Sequence, residues 1–186
     1  MNKEAAERAV KDLLVALDQD VGSEGLHDTP KRVAEMLISQ CSDEEAELET
    51  TFEEEKFDEL IMVRDIPVAS FCQHHLIPWY GRTHVAYIPN KKVIGLSKLA
   101  RLVYSCSKGL TIQEAVTKHT ADRLYESIEP KGVMVVIEAV HTCMNLRGAR
   151  AIGSSTTTSA VRGVFRDVDA ARNEFLSLVL KGGPRQ

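Results

Sequence analysis

Positive charge, cysteine and long apolar runs are all scarce in this chain, and each shortage closes off a class of function. Lys and Arg number 23 against 27 Asp and Glu, a formal net charge of −4. A general nucleic-acid binder would show a strongly basic patch or pI, so no nucleic-acid partner is expected. One anionic small molecule held by a few local arginines stays compatible with that balance. No apolar run approaches the ~18 residues that suggest a membrane span, so no membrane partner is expected either. The N-terminus, MNKEAAERAVKDLLVALDQD, is charged and amphipathic and lacks the basic stub and apolar stretch of a signal peptide. The four cysteines, Cys41, Cys72, Cys106 and Cys143, therefore read as cytosolic thiols or metal ligands, not as a disulfide framework. Internal repeats and low-complexity tracts are absent as well, and no long N-terminal extension is expected to serve as a regulatory tail. The expected location is cytoplasmic.

What is present is an ordinary globular composition: 186 residues, 44% hydrophobic and 27% charged. That suffices for one domain with a substantial core and a small helical appendage. Ala6, Val10, Leu13, Leu14 and Leu17 recur at helical spacing and predict an amphipathic helix over about residues 3–18. HDTPKRVAEMLISQ predicts a second, with Thr29 as cap, Pro30 at the first helical position and Val33, Met36 and Leu37 as its stripe. The acidic stretch SDEEAELETTFEEEKFDE reads as a solvated connector. From Leu60 the period becomes two: LIMVRDIPVASF, RTHVAYIP, GVMVVIEAVH and STTTSAVRGVF read as strands. Between the second and third lie two helical segments. Ser97 and Gly109 bound one, and Thr111 and Glu114 stand at capping-box spacing for the other. A last helix is predicted over about 168–180. Paired strands around a helical block predict an α+β domain with an antiparallel sheet over 59–186, preceded by a helical arm and connector over 1–58.

The stretch SFCQHHLIPWYG gathers Cys72, His74 and His75 inside an apolar segment, where a core needs no imidazole and a turn no thiol. Zinc takes thiolate and imidazole ligands, and a catalytic zinc keeps three protein ligands plus an open position. Cys72 and His75 are spaced to meet one ion, but a pair is not a site. The second cluster is EAVHTCMNLRG. If Val133 to Cys143 is extended, Val133, Val135, Ile137, Ala139, His141 and Cys143 share one face, an apolar wall ending in His and Cys. Spacing alone leaves a metal site and buried structural residues equally open. Cys106 shares a helix face with Leu99, Leu102 and Val103 and reads as a core thiol.

FCQHHLIPWYG, IPNKKVIGLSKLARLV, LTIQEAVTKHTAD, HTCMNLRGARAIGSSTTTSAVRGVF and RNEFLSLV follow one another in that order, with DTPKRVAEML upstream. From about Asp28 to Val179 the chain resembles the GTP cyclohydrolase I family. The resemblance implies the tunnelling fold, an antiparallel four-stranded sheet with helices on one side, assembled as a homodecamer of two stacked pentamers. It implies conversion of GTP and water into 7,8-dihydroneopterin triphosphate and formate, with zinc as cofactor. Residue by residue, it puts Cys72, His75 and Cys143 on the zinc ligands, and His74 and His141 on the acid/base histidines. Gln113 and Glu114 match the pair beside the guanine, with Glu114 its main anchor. Ser97, Lys98, Arg101 and Arg147 match positions around the ribose and triphosphate, and Arg32 a triphosphate contact from a neighbouring subunit. His84 and His119 match no family site.

These residue types suit the chemistry. Opening an imidazole ring requires water at the carbon between its two nitrogens, and zinc lowers the pKa of bound water to ~7. Imidazoles with an ordinary pKa of ~6.5 move protons at neutral pH. A carboxylate accepts two donors of the guanine edge, and arginines grip phosphate oxygens in pairs. One departure is Gln73, where the family commonly has Glu, which removes a charge near the metal without removing a ligand. Rival readings are a nitrile reductase of the same fold and a zinc-stabilised purine-binding module without turnover. The paired CQHH and HTC clusters speak against the first, and retention of both His74 and His141 against the second. A zinc deaminase would need H-x-E with P-C-x-x-C, which is missing.

Overall fold

Helical periodicity near the N-terminus is realised as α1 (Lys3–Ala16) and α2 (Thr29–Cys41), which pack on each other. The computed structural model describes residues 1–42, 48, 51–52 and 57–180, so most of the expected acidic connector lies outside the described residues. Two units are distinguished, Met1–Asp43 and Glu44–Gln186. In the first, the Asn2 side chain caps α1 by accepting from the Ala5 amide at 2.9 Å. α2 begins one residue earlier than expected: Asp28 takes the cap position, Thr29 is already helical, and Pro30 fits in the first turn, where amides lack helical partners. Pro30 and Ala34 are its buried residues. Of the stripe expected on α1, Leu13 and Leu17 are exposed.

In the second unit the change of period produces β2 (Ile61–Cys72), β3 (Pro78–Ile88), β6 (Gly132–His141) and β7 (Thr156–Gly163), four long strands in antiparallel succession. The short β5 (Leu110–Thr111) adds to the outer edge of β2 in parallel, giving the order β5-β2-β3-β6-β7. A separate two-stranded ladder joins β1 (Thr51–Phe52) to β4 (Val93–Ile94). The architecture is α+β with an antiparallel sheet, as expected.

Alternation decides what each face covers. Val85, Tyr87, Val133, Val135, Ile137 and Ala139 point to one face, where α3 (Leu96–Cys106) and α4 (Gln113–Ile128) lay Leu99, Leu102, Val103, Val116, Ala121 and Leu124 over them. Fully burying a side chain of Leu or Val size contributes roughly 1.5–3 kcal/mol, so this layer dominates stability. Helices are not confined to that side. Ala86, Met134 and Val136 are also apolar and point the other way, so α6 (Val164–Asp167) and α7 (Asp169–Leu180) cover them with Phe165, Phe175 and Val179. A strand apolar on both faces needs cover on both.

Candidate active site and metal centre

The site lies where β2 and β6 end. Beyond Cys72 the chain curls rather than running straight into β3: the amides of His75 and Leu76 both donate to the Cys72 carbonyl, at 3.2 and 2.9 Å. Leu76 takes a left-handed conformation (φ +53) to complete the turn. This returns His75 over the strand end, with its Nδ1 3.6 Å from Cys72 Sγ, and His74 Nδ1 stands 3.7 Å from the same sulfur. Cys72 is buried, while His74 and His75 are exposed.

β6 ends at His141, and Thr142–Asn145 wind into the single-turn helix α5. The extended run expected to reach Cys143 therefore stops two residues short, and Cys143 is carried by α5. Across the sheet Trp79 of β3 pairs with both Ser70 and His141, so the ends of β2 and β6 are held one strand apart. The ligand atoms of Cys72, His75 and Cys143 consequently all lie within 4.8 Å of one another. Tetrahedral zinc with Zn–S ~2.3 Å and Zn–N ~2.0 Å sets its ligand atoms ~3.5–3.8 Å apart, so two sulfurs and an imidazole at this spacing fit such an ion. Burial and the adjacent Cys72 thiol push the Cys143 thiol above its ordinary value. A Cys143 thiol whose ionisation is opposed in this way is one that a bound cation would favour in its thiolate form. Arg147 donates from Nη1 to His75 Nε2 at 2.6 Å, bringing a guanidinium to the rim of the cluster.

His141 is the last residue of β6, two residues before Cys143. Its ring is stacked on Trp79, with centroids 5.6 Å apart and planes inclined by 16°. Its Nε2 lies 2.8 Å from Gln113 Oε1. Burial pushes the His141 imidazole below its usual value, against the opposing pull of the Glu114 carboxylate. Glu114 is exposed in the first turn of α4. The capping box expected there does not form. Ile112 occupies the cap position without a side-chain hydrogen bond, because Thr111 is taken into β5 and its hydroxyl lies 2.8 Å from Ser70 Oγ. Glu114 is thereby free of a capping role.

The remaining expected residues are spread more widely. Ser97, Lys98 and Arg101 lie on the first turns of α3, with Lys98 half-buried and the other two exposed. Helix α3 starts at Leu96 after Gly95, so Ser97 is not its cap. Arg32 belongs to the first unit, where it donates to Asp28 Oδ2 at 3.2 Å. Gln113 is fully buried. Sequence reasoning missed Trp79 as the stacking partner of His141 and Thr158 as a partner of Gln113, 3.0 Å from its Nε2. Trp79 lies in the quoted WYG motif, but only the register of β3 with β6 reveals what it faces.

An α+β sheet whose strand ends gather a Cys/His/Cys group able to hold a metal ion defines a class: a protein with a candidate metal centre at a sheet rim. The family within that class follows from comparison. The family model for GTP cyclohydrolase I matches residues 6–180. The chain is 49% identical to GTP cyclohydrolase 1 of Bacillus subtilis (strain 168) over 180 residues, covering 95% of each. It is 48% identical to that of Carboxydothermus hydrogenoformans, covering 96% of this chain and 95% of the relative. With GTP cyclohydrolase 1 of Clostridioides difficile (strain 630) the identity is 45%, over 96% of this chain and 97% of the relative. A solved structure of the archaeosine synthase QueF-Like in the apo form aligns with 56% of this chain and 93% of its own, at 17% identity and a TM-score of 0.47. The chain belongs to the GTP cyclohydrolase I family, and it is an enzyme.

Proposed function

We propose that this chain is a zinc-dependent GTP cyclohydrolase I, converting GTP and water into 7,8-dihydroneopterin triphosphate and formate. The observation that carries the reading is the convergence of Cys72, His75 and Cys143 within 4.8 Å, two residues in sequence from the oriented imidazole of His141. Those three residues would hold the zinc ion. Its contribution when bound is to lower the pKa of water to ~7.

The chain's own residues do the rest. Opening the five-membered ring of guanine demands a proton removed from water and a proton delivered to a departing ring nitrogen. His74 and His141 carry those protons. Glu114 accepts the donors on the guanine edge, a pattern that adenine does not present. Ser97, Lys98, Arg101 and Arg147 hold the ribose and triphosphate, supplying the local positive charge that a net negative chain needs. Arg32 reaches the triphosphate from a neighbouring subunit.

The assembly in this reading is a homodecamer of two pentamers, in the cytoplasm. Two observations support association. Among the described residues strand β7 ends the sheet order, and an open sheet edge is a template for another strand. Leu13 and Val15 stand exposed on α1, and Leu17 at its C-terminal cap. No helix among the described residues is long and apolar enough to cross a membrane.

The test is incubation of the zinc-loaded protein with GTP, followed by oxidation and detection of fluorescent neopterin. One formate should appear for each neopterin. GTP bound but recovered intact would identify a purine-binding module instead.

A further inference from the structure

Gln113 is the first residue of α4, yet its side chain turns away from solvent and is fully buried. Its Nε2 lies 2.9 Å from the carbonyl of Ile137 on β6 and 3.0 Å from that of Thr156 on β7. A third contact, also 3.0 Å, is to Thr158 Oγ1. Both carbonyls are acceptors only, so the atom facing them must be the amide nitrogen. The Thr158 hydroxyl is itself oriented by Thr117 Oγ1 at 2.6 Å, and Thr117 donates back to the Gln113 carbonyl at 2.8 Å. The carboxamide therefore has one possible orientation. Its Oε1 is the atom presented to His141, 2.8 Å from Nε2.

An amide oxygen has no hydrogen to give, so His141 Nε2 must carry one. In the neutral ring that leaves Nδ1 with the free lone pair. Trp79 completes the restraint by stacking on the ring, which removes rotation out of its plane. We propose that Gln113 is a positioning residue that holds His141 as the Nε2–H tautomer, making Nδ1 its proton-accepting nitrogen. The assignment rests on His141 acting in proton transfer as set out above. It also gives Gln113 a role other than contact with the guanine, because its amide hydrogens and its oxygen already have partners inside the protein.

The test has a spectroscopic arm and a kinetic arm. Zinc-loaded full-length protein is labelled with ¹⁵N-histidine, and the His141 ring is assigned by comparison with His141→Asn. Spectra are recorded about two pH units above the ordinary imidazole pKa of ~6.5, where the ring is neutral. A pyrrole-like Nε2 and a pyridine-like Nδ1 are expected in the unaltered protein. In Gln113→Met, which keeps length and removes the acceptor, the two tautomers should mix. In steady-state kinetics the same variant should lose kcat by ~10–100-fold with the KM for GTP nearly unchanged. A pyrrole-like Nδ1 in the unaltered protein overturns the proposal and needs no folded variant. So does a Gln113→Met protein that keeps the tautomer and kcat but raises KM tenfold, the signature of a substrate contact. The spectra do not depend on turnover, so an inactive wild-type protein would defeat the proposed reaction and still leave the tautomer decided.

Discussion

Arg162 of β7 donates from Nε to Oδ1 of Asp122 on α4 at 2.7 Å, fastening the central helix to the last strand of the sheet. Lys118, one helical turn earlier, donates to the other carboxylate oxygen at 2.9 Å. Burial pushes the Asp122 carboxyl up, but the hydrogen bonds and charges of Lys118 and Arg162 prevail and hold it below its ordinary 3.8. A carboxyl depressed in the folded state stabilises the fold above its unfolded pKa and loses that contribution as pH falls through the folded one. Asp122→Asn should therefore lower stability at pH 7 by ~1.5–3 kcal/mol, as expected for hydrogen bonds to a charged group. The gap from the unaltered protein should narrow as pH drops below the ordinary carboxyl range. Denaturant melts of both proteins at neutral and acid pH measure it, and a gap independent of pH would count against the charge.

Gly81 lies in β3 opposite Ala139 of β6. A Cβ there would meet the Glu138 carbonyl oxygen at 1.9 Å and the Ala139 Cα at 2.6 Å. Backbone atoms of a central ladder cannot step aside as a flexible side chain can. Gly81→Ala should cost about 3 kcal/mol or more, or prevent folding, since strain at a close backbone approach belongs to the severe class of substitutions. Thermal melts followed by circular dichroism decide it; a Tm within a degree or two of the unaltered protein would refute the close approach.

Metal content tests the candidate ligands directly. Cys143→Ala should purify with much less than the roughly one zinc per chain expected of the unaltered protein, because a two-ligand remnant holds zinc poorly. Elemental analysis after dialysis gives the answer. Equal zinc in both proteins would remove Cys143 from the ligand set.

For Glu114→Ala the missing capping box sharpens the expectation. With no capping bond to lose, the variant should melt close to the unaltered protein. Turnover of GTP should suffer through binding, by a factor corresponding to ~1.5–3 kcal/mol for a charged acceptor. A lowered Tm with unchanged affinity for GTP would assign Glu114 a structural role instead.

Assembly is tested by complementation. Arg32→Ala and His141→Ala should each be inactive alone and regain partial activity when unfolded and reassembled together, because mixed rings contain some sites built from two unaltered contributions. Mixed rings without recovery, or a monomer by light scattering, would show that each chain builds its site alone.

The residues alone determined a good deal: the α+β class, the order of the long helices and strands, and the two Cys/His clusters. Hydrophobic period and donor chemistry are local properties, readable within a dozen residues. The shared face from Val133 to His141 was legible for the same reason, since side chains alternate along any strand. Other features depended on partners far away in the chain. Thr111 was available as a cap until β5 paired with β2 and Ser70 took its hydroxyl, 41 residues away in sequence. Cys143 left the strand because β6 ends at His141. The apolar residues on the second face of β6 called α6 and α7 to that side. Gln113, which the family resemblance put beside the guanine, was drawn inward by acceptors on β6 and β7, residues 137, 156 and 158. A polar group beside a buried site settles where its hydrogen bonds are completed, and those partners exist only once the strands have paired.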